Sequence, residues 1–172
     1  MRSTLRQLRE RAGVLGVHTM DRIFVVHGHD DQAKHSVARF IERLGKEAVI
    51  LHEQPGCGGS IMEKLLRYSE VKFAVVLLTP DDEGRARVDA VRRKNGLKPR
   101  ARQNVVLEFG LFVGLLGRDK VCVITRGELE LPSDMLGIVP IDYDEAGAWK
   151  TRLAQELRQA KLEVDAERVI AA

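Results

Sequence analysis

The sequence predicts an α/β domain, a five-stranded parallel sheet with helices on both faces. Short β-branched apolar runs alternate with segments of helical periodicity, the pattern of strand–helix–strand units. The central runs are apolar at every position, as in strands buried on both faces. With 172 residues there is room for one domain with its own core and little more.

Residues 22–27 form the first strand, an apolar run that Gly28 interrupts. Asp30 or Asp31 caps the next helix, which runs to about Leu44 with Val37, Phe40, Ile41 and Leu44 on one face; Gly45 ends it. Residues 47–51 are the second strand. A loop over 52–59 carries Pro55, Gly56, Gly58 and Gly59, and Ser60 caps a helix over 61–68. Residues 72–78 are the third strand, stopped by Thr79 and Pro80. The stretch 81–103 is polar, has no apolar periodicity and exceeds ordinary loop length, so it reads as a partly mobile loop. Asn104 caps an apolar helix to about Leu116. Residues 121–125 are the fourth strand, 127–137 a loop, 138–142 an edge strand and 148–160 a closing helix. In such sheets ligands bind at the carboxyl ends of the strands. Three polar clusters follow strand ends here: residues 27–30, the glycine-rich loop and residues 79–82.

Composition narrows the function classes. No apolar run reaches the ~18–20 residues of a membrane span, and the first residues lack the apolar core of a signal peptide. Cys57 and Cys122 form neither a CxxC pair nor part of a Cys/His set, so no metal site is expected and a reducing cytoplasm is the expected compartment. The net charge of +3 is unevenly spread. Between Arg85 and Arg102 lie eight basic residues and one acid, Asp89; residues 1–20 hold four arginines and one glutamate, and the remaining body is acidic. The basic stretch contains no aromatic residue to stack on bases, which argues against a single-stranded nucleic-acid groove. It suits either phosphate groups of a small ligand or an acidic partner surface, or is simply solvated.

Glu108 is the strongest chemical signal. From 103 to 117 it is the only ionisable residue, on an otherwise apolar helix. Burying a lone carboxylate is costly, so it has a catalytic or ligand-orienting role, or reaches solvent, or pairs with an arginine such as Arg102. Gly110 and Gly114, four apart on the same helix, suggest close packing against the sheet. His27, Gly28, His29 and Asp30 put polar groups at the first strand end, where Gly28 serves either close backbone approach to a ligand or a turn with positive φ. The run 55–60 lacks the spacing of a phosphate-binding loop.

Together these pieces resemble the bacterial TIR-like domains, predicted nucleotide-binding effectors of STING-linked and cyclic-nucleotide-linked anti-phage systems. The resemblance rests on FVVHGHD at 24–30, VVLLTPDD at 75–82, RARQNVVLEFGLFVGLLGR at 100–118, LPSDMLG at 131–137, IDY at 141–143 and Trp149. It spans about residues 21–165, leaving 1–20 as a linker or amphipathic helix and 166–172 as a tail. It implies a flavodoxin-like TIR fold and a hydrolase that cleaves NAD⁺ as substrate, with no resident cofactor and no metal. Glu108 is then the catalytic residue. His27, Gly28, His29, Asp30, Asp81, Asp82, Arg102 and Asn104 are the substrate-binding candidates, and the loop 52–59 gates the pocket and shapes self-association. The implied partners are NAD⁺, further copies of the domain and a cyclic-nucleotide sensor domain outside these residues, with no nucleic acid and no membrane. Two alternatives stand beside it: a non-enzymatic TIR adaptor or nucleotide-binding module, and a nucleoside deoxyribosyltransferase-like enzyme, which shares the layout and a catalytic glutamate.

Overall fold

The computed structural model describes residues 20–55, 58–85, 87, 96–135 and 137–170. The expectations for residues 1–19, for Cys57 and for most of the basic stretch, 86 and 88–95, lie outside the described residues.

Strands β1 (Arg22–Val26), β2 (Glu47–Val49), β3 (Phe73–Leu78), β6 (Val121–Thr125) and β7 (Ile141–Asp142) form one sheet in the order β2-β1-β3-β6-β7. Every pairing in it is parallel. With the two strands of a separate ribbon left aside, this is the flavodoxin-like order, which reverses direction between β1 and β3. Alternation along the strands feeds two cores. Ile23, Val25, Val75 and Ile124 face helices α1 (Asp31–Arg43) and α4 (Ala148–Gln159), where Phe40 meets Trp149 edge-on at 5.4 Å. Phe24, Val26, Val76 and Val123 face α2 (Ile61–Tyr68) and α3 (Gln103–Leu116). Each large side chain buried in these layers contributes roughly 1.5–3 kcal/mol. A short α5 (Ala166–Ile170) follows, with Val169 packed on the first core.

The helix starts follow their side chains. Asp30 accepts from the Ala33 amide at the start of α1, and Ser60 and Glu63 form a reciprocal capping box at the start of α2. Gly45, at φ +75°, takes the left-handed conformation that closes α1.

Five expectations need correction. The stretch 81–103 is not all loop: β4 (Asp82–Gly84) and β5 (Lys98–Arg100) pair antiparallel at its base, and Lys98 and Arg100 both reach Glu130. Three-residue polar strands carry no hydrophobic alternation, so nothing in their pattern marks them. The edge strand is shorter than 138–142, because Pro140 has no N–H for the ladder and Val139 is exposed. β2 stops at Val49, and residues 51–53 wind into a 3-10 turn. Arg102, not Asn104, is the residue before α3, and it makes no side-chain capping bond. Gly110 and Gly114 face open space rather than the sheet; a β-carbon at either would meet nothing within 4 Å. No helix among the described residues is long and apolar enough to cross a membrane.

Candidate active site

The site lies at the carboxyl end of β1, between the turn after β2 and helices α2 and α3, beside the point where the sheet order reverses. β1 is followed by His27, Gly28 and His29. β3 is followed by Thr79, Pro80 and Asp81, and one carboxylate oxygen of Asp81, Oδ2, accepts from the His29 amide and the Thr79 hydroxyl, both at 2.9 Å. That carboxylate occupies the space beside Gly28 where a β-carbon would stand. The expected reasons for Gly28, a ligand's approach or a positive φ, are thus corrected: its own chain's Asp81 carboxylate takes the space, and its φ is not positive. Gly28→Ala is expected to push Asp81 aside and open the turn, costing about 1–3 kcal/mol in thermal unfolding and speeding exchange of the His29 amide.

α3 brings Glu108 to this corner. Val105 and Phe112 are buried against the sheet, and Glu108, at helical spacing from both, shares their face. It lies over the end of the strands, so its carboxylate opens into a cavity of about 490 Å³. The carboxyl is half-buried and desolvated, which pushes its pKa up to about 7. No hydrogen bond or ion pair joins it to another of the described residues. Arg102, the expected arginine partner, instead lays its guanidinium against Nε2 of His29.

Six of the nine site residues read from the sequence line this cavity: His27, Gly28, His29, Arg102, Asn104 and Glu108. Asp81 and Asp82 line a neighbouring cavity of about 1160 Å³, under the ribbon and beside Glu130. Asp30 lines neither. Its Oδ1 caps α1 and its Oδ2 accepts from Arg126 at 2.7 Å.

Sequence reasoning missed Lys34 and Lys64, and placed His52 only in a loop. Lys64 and His52 line the cavity with Glu108. Lys34 is 4% exposed and holds Asp31 at 2.5 Å. Its signal was legible: a lysine at 34 falls on the helical stripe with Val37, Ala38 and Ile41. Cys122 is buried in the first core, which pushes its thiol up to about 12 and leaves it chemically inert. Among the described residues no cluster of His, Cys, Asp or Glu has the arrangement of a metal site.

A parallel sheet in this order, with one desolvated glutamate at its switch point, defines a flavodoxin-like α/β domain with its pocket at the strand ends. Residues 22–145 match the family model described as CAP12/Pycsar effector protein, TIR domain, and the chain belongs to that family. It is 46% identical over 152 residues to the uncharacterized protein YuaY of Escherichia coli (strain K12), covering 88% of this chain and 49% of that protein. It is 34% identical over 131 residues to protein tirC of Dictyostelium discoideum, covering 72% and 65%. A shorter match, 40% identical over 76 residues, joins it to the Pycsar effector protein PaPycTIR of Pseudomonas aeruginosa, covering 43% and 22%. The chain thus spans between about half and two thirds of the length of the first two relatives.

Proposed function

We propose that this domain is an NAD⁺ glycohydrolase of anti-phage defence that releases nicotinamide and ADP-ribose, linear or cyclic, and works in self-associated form in the cytoplasm. The observation that carries the reading is Glu108, a desolvated carboxylate with no partner among the described residues, in the cavity beside the switch point of a CAP12/Pycsar TIR domain.

The chemistry asks for one carboxylate. As the bond between C1′ of the ribose and the nicotinamide nitrogen breaks, its electron pair leaves with that nitrogen, which was cationic and becomes neutral. No acid has to protonate the leaving group, unlike ordinary glycosides, which use two carboxylates. Positive charge develops on the ribose, and an ionised Glu108 stabilises it. In hydrolysis, water then adds its oxygen to C1′ and gives up a proton; in cyclisation an adenine nitrogen adds instead. With a pKa of about 7 Glu108 is partly ionised at neutral pH, and a cationic substrate beside it draws it further toward the ionised form. Arg102 and Lys64 line the same cavity, and on this reading their positive charges bind the pyrophosphate.

The test is incubation of the chain with NAD⁺ over a range of protein concentrations, with products separated by chromatography. Nicotinamide and ADP-ribose should appear in equal amounts, and specific activity should rise with concentration if the working form is assembled. NAD⁺ binding with no turnover at any concentration points to the non-enzymatic module. Free base released from a deoxynucleoside, with NAD⁺ untouched, points to the transferase.

A further inference from the structure

Beside Glu108, and apart from it, runs a chain of three contacts. His27 Nδ1 lies 2.7 Å from the carbonyl oxygen of Gly28. His27 Nε2 lies 3.1 Å from His52 Nδ1, with the rings edge-on at 4.8 Å. His52 Nε2 lies 3.4 Å from Lys34 Nζ, and Lys34 is held by Asp31. The chain ties β1 and α1 to the 3-10 turn that begins the glycine-rich loop.

Its two ends settle the protons between. A carbonyl only accepts and an ammonium only donates. His27 must therefore carry its proton on Nδ1 and present a bare Nε2. His52 must then donate from Nδ1 to that nitrogen and accept from Lys34 on Nε2. This is the one assignment with both rings neutral that satisfies all three contacts. A proton added to either ring sets N–H against N–H at one link. We infer that Lys34 and His52 are positioning residues that lock His27 as a neutral Nδ1–H tautomer, giving the cavity an uncharged aromatic ring with no free N–H.

The consequence rests on the reading of the cavity as an NAD⁺ site. The nicotinamide ring of that substrate is cationic. A charged His27 would repel it and compete with it for Glu108, whereas a neutral ring does neither. Burial first, and then the neighbouring His52 and Lys34, hold the His27 pKa below the ordinary imidazole value, against the opposing pull of the Gly28 carbonyl and Asp31. The charged and titratable groups facing the His27 cavity are His29 after β1, Asp31 and Lys34 of α1, His52 of the turn, Lys64 of α2, Arg102 just before α3 and Glu108 of α3.

Long-range ¹H–¹⁵N spectra of the uniformly labelled chain report each ring nitrogen without any need for turnover. At pH 7 both histidines should show a protonated Nδ1 and a bare Nε2. His52→Ala should let the Nε2–H form of His27 appear and move its titration midpoint up by about one pH unit. His52→Asn, whose amide donor stands near the Nδ1 position, should restore both. In a Glu108→Gln background, free of that carboxylate's own titration, NAD⁺ binding should weaken on acidification at the His27 midpoint and follow it upward in His52→Ala. An Nε2–H or cationic His27 at pH 7, or a midpoint that His52→Ala leaves unmoved, overturns the inference. Fixed tautomers together with no NAD⁺ binding uphold the positioning role and overturn only the substrate reading.

Discussion

Glu108→Gln is expected to lower nicotinamide release by about a thousandfold while making the folded chain more stable above neutral pH. On the proposed function, the rate loss follows from removing the desolvated carboxylate that would meet the developing cation, a preorganised electrostatic contact worth about 10²–10³ or more. The gain in stability follows from the same desolvation. The carboxyl has an ordinary value of 4.5 when solvated and about 7 when folded. A group whose folded pKa is raised contributes its full stability below the lower value and loses it as pH rises through the higher one. Above pH 7 the native chain must therefore hold a charge where charge is disfavoured. Discounted for the group's partial exposure, that cost is roughly 1–2 kcal/mol. Glutamine never bears it. The melting temperature of Glu108→Gln should exceed that of the native chain by roughly 2–6 °C at pH 8 and match it near pH 4. Retained turnover would remove Glu108 from the chemistry, and a pH-independent difference in melting would remove the desolvation argument.

Phe112→Ala is expected to destabilise the domain by about 3–5 kcal/mol, the cost of a cavity at a fully buried aromatic site. Phe112 has no exposed surface and its ring packs 4.5 Å from that of Phe24 at the centre of the second core. α3 is apolar nearly throughout, yet only Val105 and Phe112 of its residues are buried. Phe112 thus fastens the helix that carries Glu108. Thermal unfolding should show a drop of roughly 6–20 °C, and urea unfolding a lower midpoint. Leu107→Ala on the same helix is the control. Leu107 is 58% exposed, so its loss should stay within about 0.5 kcal/mol. Equal losses for the two variants would contradict the packing described here.

The layered fold was legible because its strands are apolar on both faces and its helices carry ordinary stripes and caps. Asp30 and Ser60 were readable as caps because short polar side chains bond locally to backbone. Glu108 stood out as a lone charge on an apolar helix, and that isolation survives as desolvation in the fold. What stayed hidden depends on long-range geometry. Gly28 is needed because Asp81, fifty-odd residues later, presses against it. The β4/β5 ribbon is held by Glu130, outside both its strands. Gly110 and Gly114 have helical spacing for close packing, but spacing alone does not say which face meets the sheet, and they lie on the other side. The chain from His27 to Lys34 joins three segments whose contact only the sheet order creates.

The parallel order also governs when such a site can exist. Ile23 aligns with Phe73, and Val75 with Cys122, so each neighbouring pair of central strands closes a loop of about fifty residues. Parallel neighbours cannot be joined by a tight hairpin, and contacts this distant in sequence form slowly. α3 gains both its flanking strands only when β6 has added beside β3. Every other residue lining the cavity of Glu108 precedes it in the sequence, whereas β6, part of the bed on which α3 lies, follows it. A chain that ends just past Glu108 thus holds the whole cavity lining, but the seating of α3 is completed only when residues 121–125 join the sheet.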